Sequence, residues 1–515
     1  MEKLSNELLR EILDHIEADP EKSVSIDRRA YLSVESFKAP SPPIRAQAQD
    51  IAHFRLVCRR FAELGIPHQF TRVTTRFSSR GFARLERIAD WPHVAAHVKK
   101  FSYMVPCFYT DGRDRVEELF RRFPGDFQSM DTRHFVLKAN EQRELVRTRS
   151  DLNALTRAIF AFKSLQHVQI LRLQDEADRV LLEHLRENDE LANQLVELRW
   201  TPACAHGTRT LGQALLESQS PFTRFSGPMM NPQSAVLLDD GRISRTTIPS
   251  LASRLTCLEL HFDEGTELDG RIQALSGLFR DVFMAATGMQ AVHIGFPSRS
   301  PLNLGLEQVF HGVKWEKLRA FGIQAWRLDA DEIIALARRH RKTLRGIRLR
   351  DVLLRQSSMW KTVLGMLREE MELLDWVSLR RIGYERSFDE MFAGTMEIPP
   401  DPPGVASDSD EEDSFPTHIS NGEDDDEDED HSDDSDDDSV DSTNEDDDDN
   451  GPEANALALD PDTPSSLPWC SCGRGSYPET SDELGDNGQM VDYVQRKLWE
   501  KWVVGRCPEH SRGWE

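Results

Sequence analysis

Several things are missing from this chain of 515 residues. No apolar run approaches the roughly 20 residues that a membrane-crossing helix needs, and the opening Met1-Glu2-Lys3-Leu4-Ser5-Asn6-Glu7 is too polar and acidic for a signal peptide. Cysteine is sparse. There are seven, and Cys58, Cys107, Cys204 and Cys257 stand far apart in apolar surroundings, which argues against a disulfide framework and for a reducing compartment. The expected setting is therefore the cytoplasm, the nucleus or both, with no membrane. Catalytic signatures are missing too. The chain holds no GxxxxGK[ST], no HExxH and no GxSxG, so a non-catalytic protein is expected. From Ser387 to Gly473 there is neither Lys nor Arg.

Acid, by contrast, is plentiful and local. Of the 89 Asp and Glu, 24 lie between Asp408 and Asp449. Without them 65 acids face 63 bases, so the net charge of −26 belongs to one segment and the rest is nearly neutral. A body so balanced is not a basic nucleic-acid surface, and no direct nucleic-acid partner is expected. The Pro-rich and acidic stretch 394–468 lacks core-forming residues and reads as a disordered linker. As a solubilising segment it needs no partner. A functional version would imitate nucleic acid and engage basic proteins such as histones. Ser409, Ser432 and Ser435 each precede an acidic residue and could gain charge by phosphorylation.

Residues 1–66 read as a helical module. Ser5 can cap a first helix, with Leu4 and Leu9 at the spacing of a hydrophobic staple. Leu9, Ile12, Leu13 and Ile16 give it an apolar face that Leu8 widens. Residues 17–46, with Pro20, Pro40, Pro42 and Pro43, read as a loop. The pattern predicts a second helix from about Gln47 to Leu64, with Ile51, Phe54, Cys58 and Phe61 on one stripe and Leu56 and Val57 off it. Gly65 and Pro67 supply stop signals. A short helix pair with surplus apolar surface must bury it on the rest of the chain or on a partner.

Leu4-Ser5-Asn6-Glu7-Leu8-Leu9 with Ile12-Leu13, then Phe54-Arg55-Leu56-Val57-Cys58-Arg59-Arg60-Phe61, resembles an F-box. The continuation Phe70 to Val73, Phe77 to Arg80 and Phe82 to Leu85 is similar to F-box proteins of filamentous fungi, over roughly the first 105 residues. Ser5 stands where the family usually has Pro, and about 35 residues separate the two halves of the motif. The resemblance implies binding to a Skp-type adaptor of a cullin–RING ubiquitin ligase through Leu4, Leu8, Ile12, Leu13, Leu56, Val57, Cys58 and Arg59.

Residues 67–393 carry a recurring cassette, apolar-x-x-apolar-x-apolar. It appears as Leu165/Val168/Ile170, Leu195/Leu198/Trp200, Leu255/Leu258/Leu260, Met289/Val292/Ile294, Leu344/Ile347/Leu349 and Leu374/Val377/Leu379. Trp315/Leu318/Ala320 and Phe222/Phe225/Gly227 are degenerate copies. Successive cassettes are 26 to 34 residues apart, and Val98/Phe101/Tyr103 stands earlier. The alternation suits a short strand with one buried face. Ile272–Ala286, Ala330–His340 and Trp360–Met371 are amphipathic helix candidates between cassettes. A strand plus a helix in about 30 residues is one leucine-rich-repeat unit. The expected fold is therefore α/β: F-box helices, then an irregular leucine-rich-repeat-like solenoid. The segment 104–164 reads as a helical insertion, with helices near Val116–Phe123 and Asn140–Phe162, packed on one face or acting as a lid. A stacked sheet offers an extended surface to a protein substrate. Residues beside the cassettes are the candidates: Arg172, Arg199, His261, His293, Gln324, Arg348 and Arg380.

Residues 469–515 regain order. Met490, Val494, Leu498 and Trp502 form a helical stripe beside Trp499, which predicts a docking helix. Cys470, Cys472, Cys507 and His510 could hold a zinc ion; otherwise no cofactor is expected. The F-box resemblance, joined to a repeat body, implies the substrate-recognition subunit of a Skp–cullin–F-box ligase. A ligase-independent scaffold and a histone-binding protein are the alternatives.

Overall fold

Most cassettes form a strand, and the first nine strands pair in parallel in chain order, while the last two pair back with earlier strands. The computed structural model describes residues 4–16, 45–106, 120–125, 132–174, 200–230, 247–262, 267–388, 405–407, 480–489 and 491–505, with isolated positions between them. Pro478 apart, these fall in one unit, residues 1–414 with 479–506. The fold is mixed α/β around an open parallel sheet of eleven strands.

The first five strands are β1 (Arg72–Arg76), β2 (Lys100–Pro106), β3 (His167–Gln174), β4 (Arg224–Met230) and β5 (Cys257–Phe262). They continue as β6 (Ala291–Gly295), β7 (Ala320–Leu328), β8 (Gly346–Leu354), β9 (Trp376–Arg380) and β10 (Gly383–Tyr384). Val73, Phe101, Val168, Phe225, Leu258, Val292, Phe321, Ile347 and Val377 stand in one unbroken register across nine strands. Apart from Val73 and Phe321, these are the middle positions of the expected cassettes. All but Phe225 are buried, each aliphatic member contributing about 1.5–3 kcal/mol before ordering costs. β11 (Val405–Ser407) pairs with β3 at Arg172–Gln174, so a short strand interrupts the stretch expected to be disordered.

The N-terminal module is three helices, not two: α1 (Asn6–Ile16), α2 (Arg45–Leu56) and α3 (Arg59–Phe70). The expected helix 47–64 breaks at Val57–Cys58, where Cys58 is fully extended (φ −164°, ψ 167°). The loop 17–44 lies outside the described residues. Gly65 and Pro67 do not end α3; both lie within it. Gly65 is needed because the Arg55 side chain crosses it: a Cβ there would meet Arg55 Cγ at 2.4 Å.

The next helices are α4 (Ser79–Ala89), α5 (Pro92–Ala95), α6 (Thr132–Thr148) and α7 (Ser150–Ala161). They are followed by α8 (Trp200–Glu217), α9 (Thr247–Ala252), α10 (Leu268–Ala274) and α11 (Ser276–Ala285). The long helix expected over 140–162 is broken at Arg149, which takes a left-handed φ of 54°. Its second half is no lid. Ala154, Leu155, Ala158 and Ile159 on α7 are buried, and Phe162 packs on Phe101 of β2. Of Val116–Phe123, residues 116–119 lie outside the described residues, and 120–122 are helical.

Two cassettes are corrected. Trp200 opens α8 rather than closing a strand, β3 pairs directly with β4, and Leu195 and Leu198 lie outside the described residues. Before β7 the true cassette is Leu318/Phe321/Ile323, three residues beyond the one expected, and all three are buried. Trp315 serves the core instead. Its indole N–H donates to the Phe283 carbonyl at 3.2 Å, and its ring meets those of Phe283 and Phe310 edge-on. The helix expected over 272–286 is the pair α10 and α11.

The last helices are α12 (Leu306–Phe310), α13 (Ala330–Arg339), α14 (Trp360–Glu370) and α15 (Tyr493–Val503). α15 covers the end of the sheet. Trp499 and Trp502 are buried, and the Trp499 indole donates to the Leu484 carbonyl at 3.0 Å. The inward stripe is thus Trp499, Trp502 and Val503, with Leu498 half-buried. Glu500 accepts the Leu379 backbone N–H of β9 at 2.5 Å, and Asp486 accepts from Lys361 N–H at 2.8 Å and Tyr384 Oη–H at 2.5 Å. Capping of this kind keeps an edge strand from pairing with other chains. No helix among the described residues is long and apolar enough to cross a membrane.

Candidate functional site

The first surface is built by α1, α2 and α3. Ser5 caps α1 as expected, with its Oγ accepting from Leu8 N–H at 3.4 Å and its carbonyl accepting from Leu9 N–H at 3.1 Å. Leu9, Leu13, Ile51, Phe54, Phe61 and Leu64 close into one buried cluster, against which Leu4 and Cys58 lie partly buried. The Phe54 and Phe61 rings stack with centroids 4.5 Å apart. Arg60 ties the start of α3 to the start of α1, donating from Nε to Asn6 Oδ1 at 2.7 Å and from Nη2 to the Leu4 carbonyl at 2.5 Å. That clamp holds the Val57–Cys58 break at the same end of the module as the first turn of α1.

With the interior filled, surplus apolar surface remains outside. Leu8 is 48% exposed, Leu56 66% and Val57 58%. Ile12 is half-buried and Arg59 exposed. Leu13 is a correction: it is fully buried in the module's own cluster, so it stabilises the helices and offers nothing to a partner. Leu56 at the end of α2 and Val57 in the break lie off the stripe of Ile51, Phe54 and Phe61 that fills that cluster.

The second surface is the sheet face turned away from the helices. Its rows alternate with the cassette positions. One runs Thr74, Ser102, Gln169, Ser226, Glu259, His293, Gly322, Arg348 and Ser378 in strict register. On the N-terminal side of it Arg72, Lys100, His167 and Arg224 lead to Cys257, Ala291, Ala320, Gly346 and Trp376. On the C-terminal side His261, Gly295, Gln324, Arg350 and Arg380 are aligned, with Arg76 at the far end. Among the described residues these rows carry seven Lys or Arg and one carboxylate, Glu259.

Glycine makes two side chains lie flat on this face. A Cβ on Gly295 would meet the His261 ring at 2.5 Å, and one on Gly346 would meet the Trp376 ring at 2.1 Å. Trp376 packs with Cys257, Ala291 and Ala320, and the Arg348 guanidinium stands 5.8 Å from its ring centre. Near β4 the face is a buried polar network. Glu259 accepts from Arg224 at 2.9 Å and from Ser226 Oγ at 2.7 Å, and His167 Nε2 lies 2.9 Å from Ser226 Oγ. Burial raises the Glu259 carboxyl above its ordinary range against the pull of Arg224. Burial, then the charges of Arg348, His261 and Arg350, holds His293 well below the usual imidazole range. Burial, with Arg224, Lys100 and Arg72 behind it, does the same to His167.

Five of the seven expected contact residues come together here: His261, His293, Gln324, Arg348 and Arg380. Arg172 lies in β3, its side chain outside the described set, and Arg199 is outside it altogether. Arg224, Glu259 and Arg350 were missed. Strict alternation from Leu258, Ile347 and Leu349 points outward at Glu259, Arg348 and Arg350 alike, so the period could have found two of them.

No known protein family matches the chain, and no curated protein is similar to it. Cys470, Cys472, Cys507 and His510 lie outside the described residues. Among the described residues no group of His, Cys, Asp or Glu is placed to hold a metal ion. A shallow depression of about 280 Å³ at the start of β7 and β8 is lined by Lys317, Arg319, Lys342 and Arg345 with Glu316. It extends the positive character of this region to the rim.

Proposed function

We propose that the chain is the substrate-recognition subunit of a Skp–cullin–F-box type ubiquitin ligase. Its N-terminal helices act as an F-box-like module and its body as an irregular leucine-rich-repeat-like solenoid. The observation that carries this reading is the exposure of Leu8, Leu56 and Val57 on a helix trio whose interior is already full. Apolar side chains on a satisfied module gain by burial against a partner, each by about 1.5–3 kcal/mol before binding costs. Leu8, Leu56 and Val57 would form the centre of the adaptor contact, with Leu4, Ile12, Cys58 and Arg59 around them. The sheet body would hold a protein substrate, and ubiquitin transfer would fall to other subunits.

Affinity purification of the tagged full chain from its own cells tests this. Adaptor and cullin should co-purify, and both should vanish with Leu8→Asp plus Val57→Asp while the body's partners stay. A wild-type chain that brings down neither leaves a ligase-independent scaffold. Histones as the main partners would point to the acidic segment instead.

A further inference from the structure

The sheet face opposite the helices is basic on a chain that is otherwise neutral or acidic. We infer that this face, from β5 to β9, binds an extended acidic segment of a protein partner, through Arg350, Arg380 and Gln324 above a floor of His293 and Arg348. This deepens the recognition reading of the body, on which it rests.

The argument begins with register. Arg350 and Arg380 are Cα partners in adjacent strands, and Gln324 is Arg350's partner on the other side. Neighbouring strands lie about 4.8 Å apart, so β5 to β9 spans about 19 Å. An extended chain rises about 3.3 Å per residue, so roughly six residues cross that distance, with alternate side chains about 6.7 Å apart. Both guanidiniums are half-buried, which limits screening of their charge by water. Guanidinium planes accept carboxylate and phosphate side-on through paired N–H groups, and the Gln324 amide can serve a peptide backbone.

The shape agrees with the charge. Gly295, Gly322 and Gly346 put no side chain on this face, and the His261 and Trp376 rings lie flat over the first and last of them. Between His293 and Arg348 the register places only Gly322, so the floor there is flat. The arrangement favours peptide over nucleic acid. Single strands of nucleic acid are bound on several stacking aromatics, and the aligned rows of β5 to β9 offer Trp376 alone, already laid on Gly346. A carboxylate-rich and a phosphorylated segment present the same chemistry to Arg350 and Arg380.

The test is fluorescence anisotropy on the purified full chain and on a version lacking 408–449. The probes are a labelled octapeptide alternating Asp with Val, its phosphoserine–Val counterpart, a Lys–Val peptide and a twelve-nucleotide single-stranded RNA. Both anionic peptides should bind the full chain, the Lys peptide should not, and binding should weaken with added salt. Tighter binding of one anionic peptide than the other tells which source of negative charge the face prefers. Arg350→Glu plus Arg380→Glu should weaken binding by about tenfold or more, while Arg143→Glu, on the exposed side of α6, should leave it unchanged. Four results overturn the inference: equal binding by the double variant, no binding of either acidic peptide to either protein, RNA bound more tightly than peptide, or binding confined to the deletion protein. The last would give the face to the chain's own acidic run. Adaptor capture by the same preparations is read separately. Peptide binding lost with adaptor capture intact strikes this inference alone, and the reverse strikes the ligase reading.

Discussion

Arg381 and Asp351, thirty residues apart in the chain, occupy the same bend in adjacent strands and face each other through two hydrogen bonds, at 2.6 and 3.0 Å. Both take a left-handed backbone, with φ of 46° and 50°, and Ala325 repeats it one strand earlier at 56°. The stacked bends shift the inward positions by one residue, so that Trp326, Val352 and Ile382 return to the core. Asp351 is buried and also accepts from Ser298 Oγ at 2.8 Å. Arg381→Met would leave that carboxylate accepting from Ser298 Oγ without its charged partner. Because Arg381 is half exposed, the cost should be modest, about 1–2 kcal/mol. Urea unfolding of the pure protein measures it, and an unchanged midpoint would remove the pair from the account of these bends.

His340 gives the fold a pH dependence of known sign. Its Nε2 accepts from Trp315 N–H at 3.2 Å, so Nδ1 carries the proton and donates to the Leu336 carbonyl at 3.1 Å. Burial depresses its pKa from the ordinary 6.5 to about 4. A histidine that resists protonation only when folded favours the folded state above pH 6.5. That advantage should be lost as pH falls from about 6.5 to about 4, by up to about 3 kcal/mol. His340→Gln should flatten the Tm profile across this window. An unaltered slope would show that other groups set it.

The Arg224–Glu259 pair tests whether the polar network under the sheet face is structural. Both side chains are buried. Arg224→Met leaves a buried carboxylate unpaired and should cost about 3–5 kcal/mol, whereas Arg224→Met with Glu259→Leu should recover much of it. Chemical denaturation of the two variants supplies the comparison. A double variant no more stable than the single one would contradict the assignment.

Trp499 should matter for order at the end of the sheet. Trp499→Ala removes a fully buried indole and should cost about 3–5 kcal/mol. Hydrogen exchange should quicken in β9, whose Leu379 N–H is held by Glu500 on the same helix. Unchanged protection there would mean that β9 does not depend on α15.

Much of this was legible in the chain, for a definite reason. Cassettes such as Leu258/Leu260 and Val292/Ile294 bury one face with a period of two, and that period also fixes which residues point outward. Errors came where a short apolar run lacks direction. Trp200 completes a cassette by composition yet begins a helix, and Trp315 with Leu318 imitates a cassette three residues early because both are core residues before a strand. The break at Val57–Cys58 has no Gly or Pro to announce it. The signals that do stand nearby, Gly65 and Pro67, mark the passage of Arg55 and a tolerated proline near the end of α3. Exposure of Leu56 and Val57 was foreseeable, because they lie off the stripe of Ile51, Phe54 and Phe61.

The most direct measurement is a calorimetric titration of purified Skp-type adaptor into the full chain, its Val57→Asp variant and a Leu8→Asp variant, with Tm recorded for each. The account predicts saturable binding by the wild type, loss of about tenfold or more in affinity for each variant, and unchanged Tm, since Leu8 and Val57 support no part of the folded interior. Equal affinity for all three proteins, or no binding by the wild type, would contradict it.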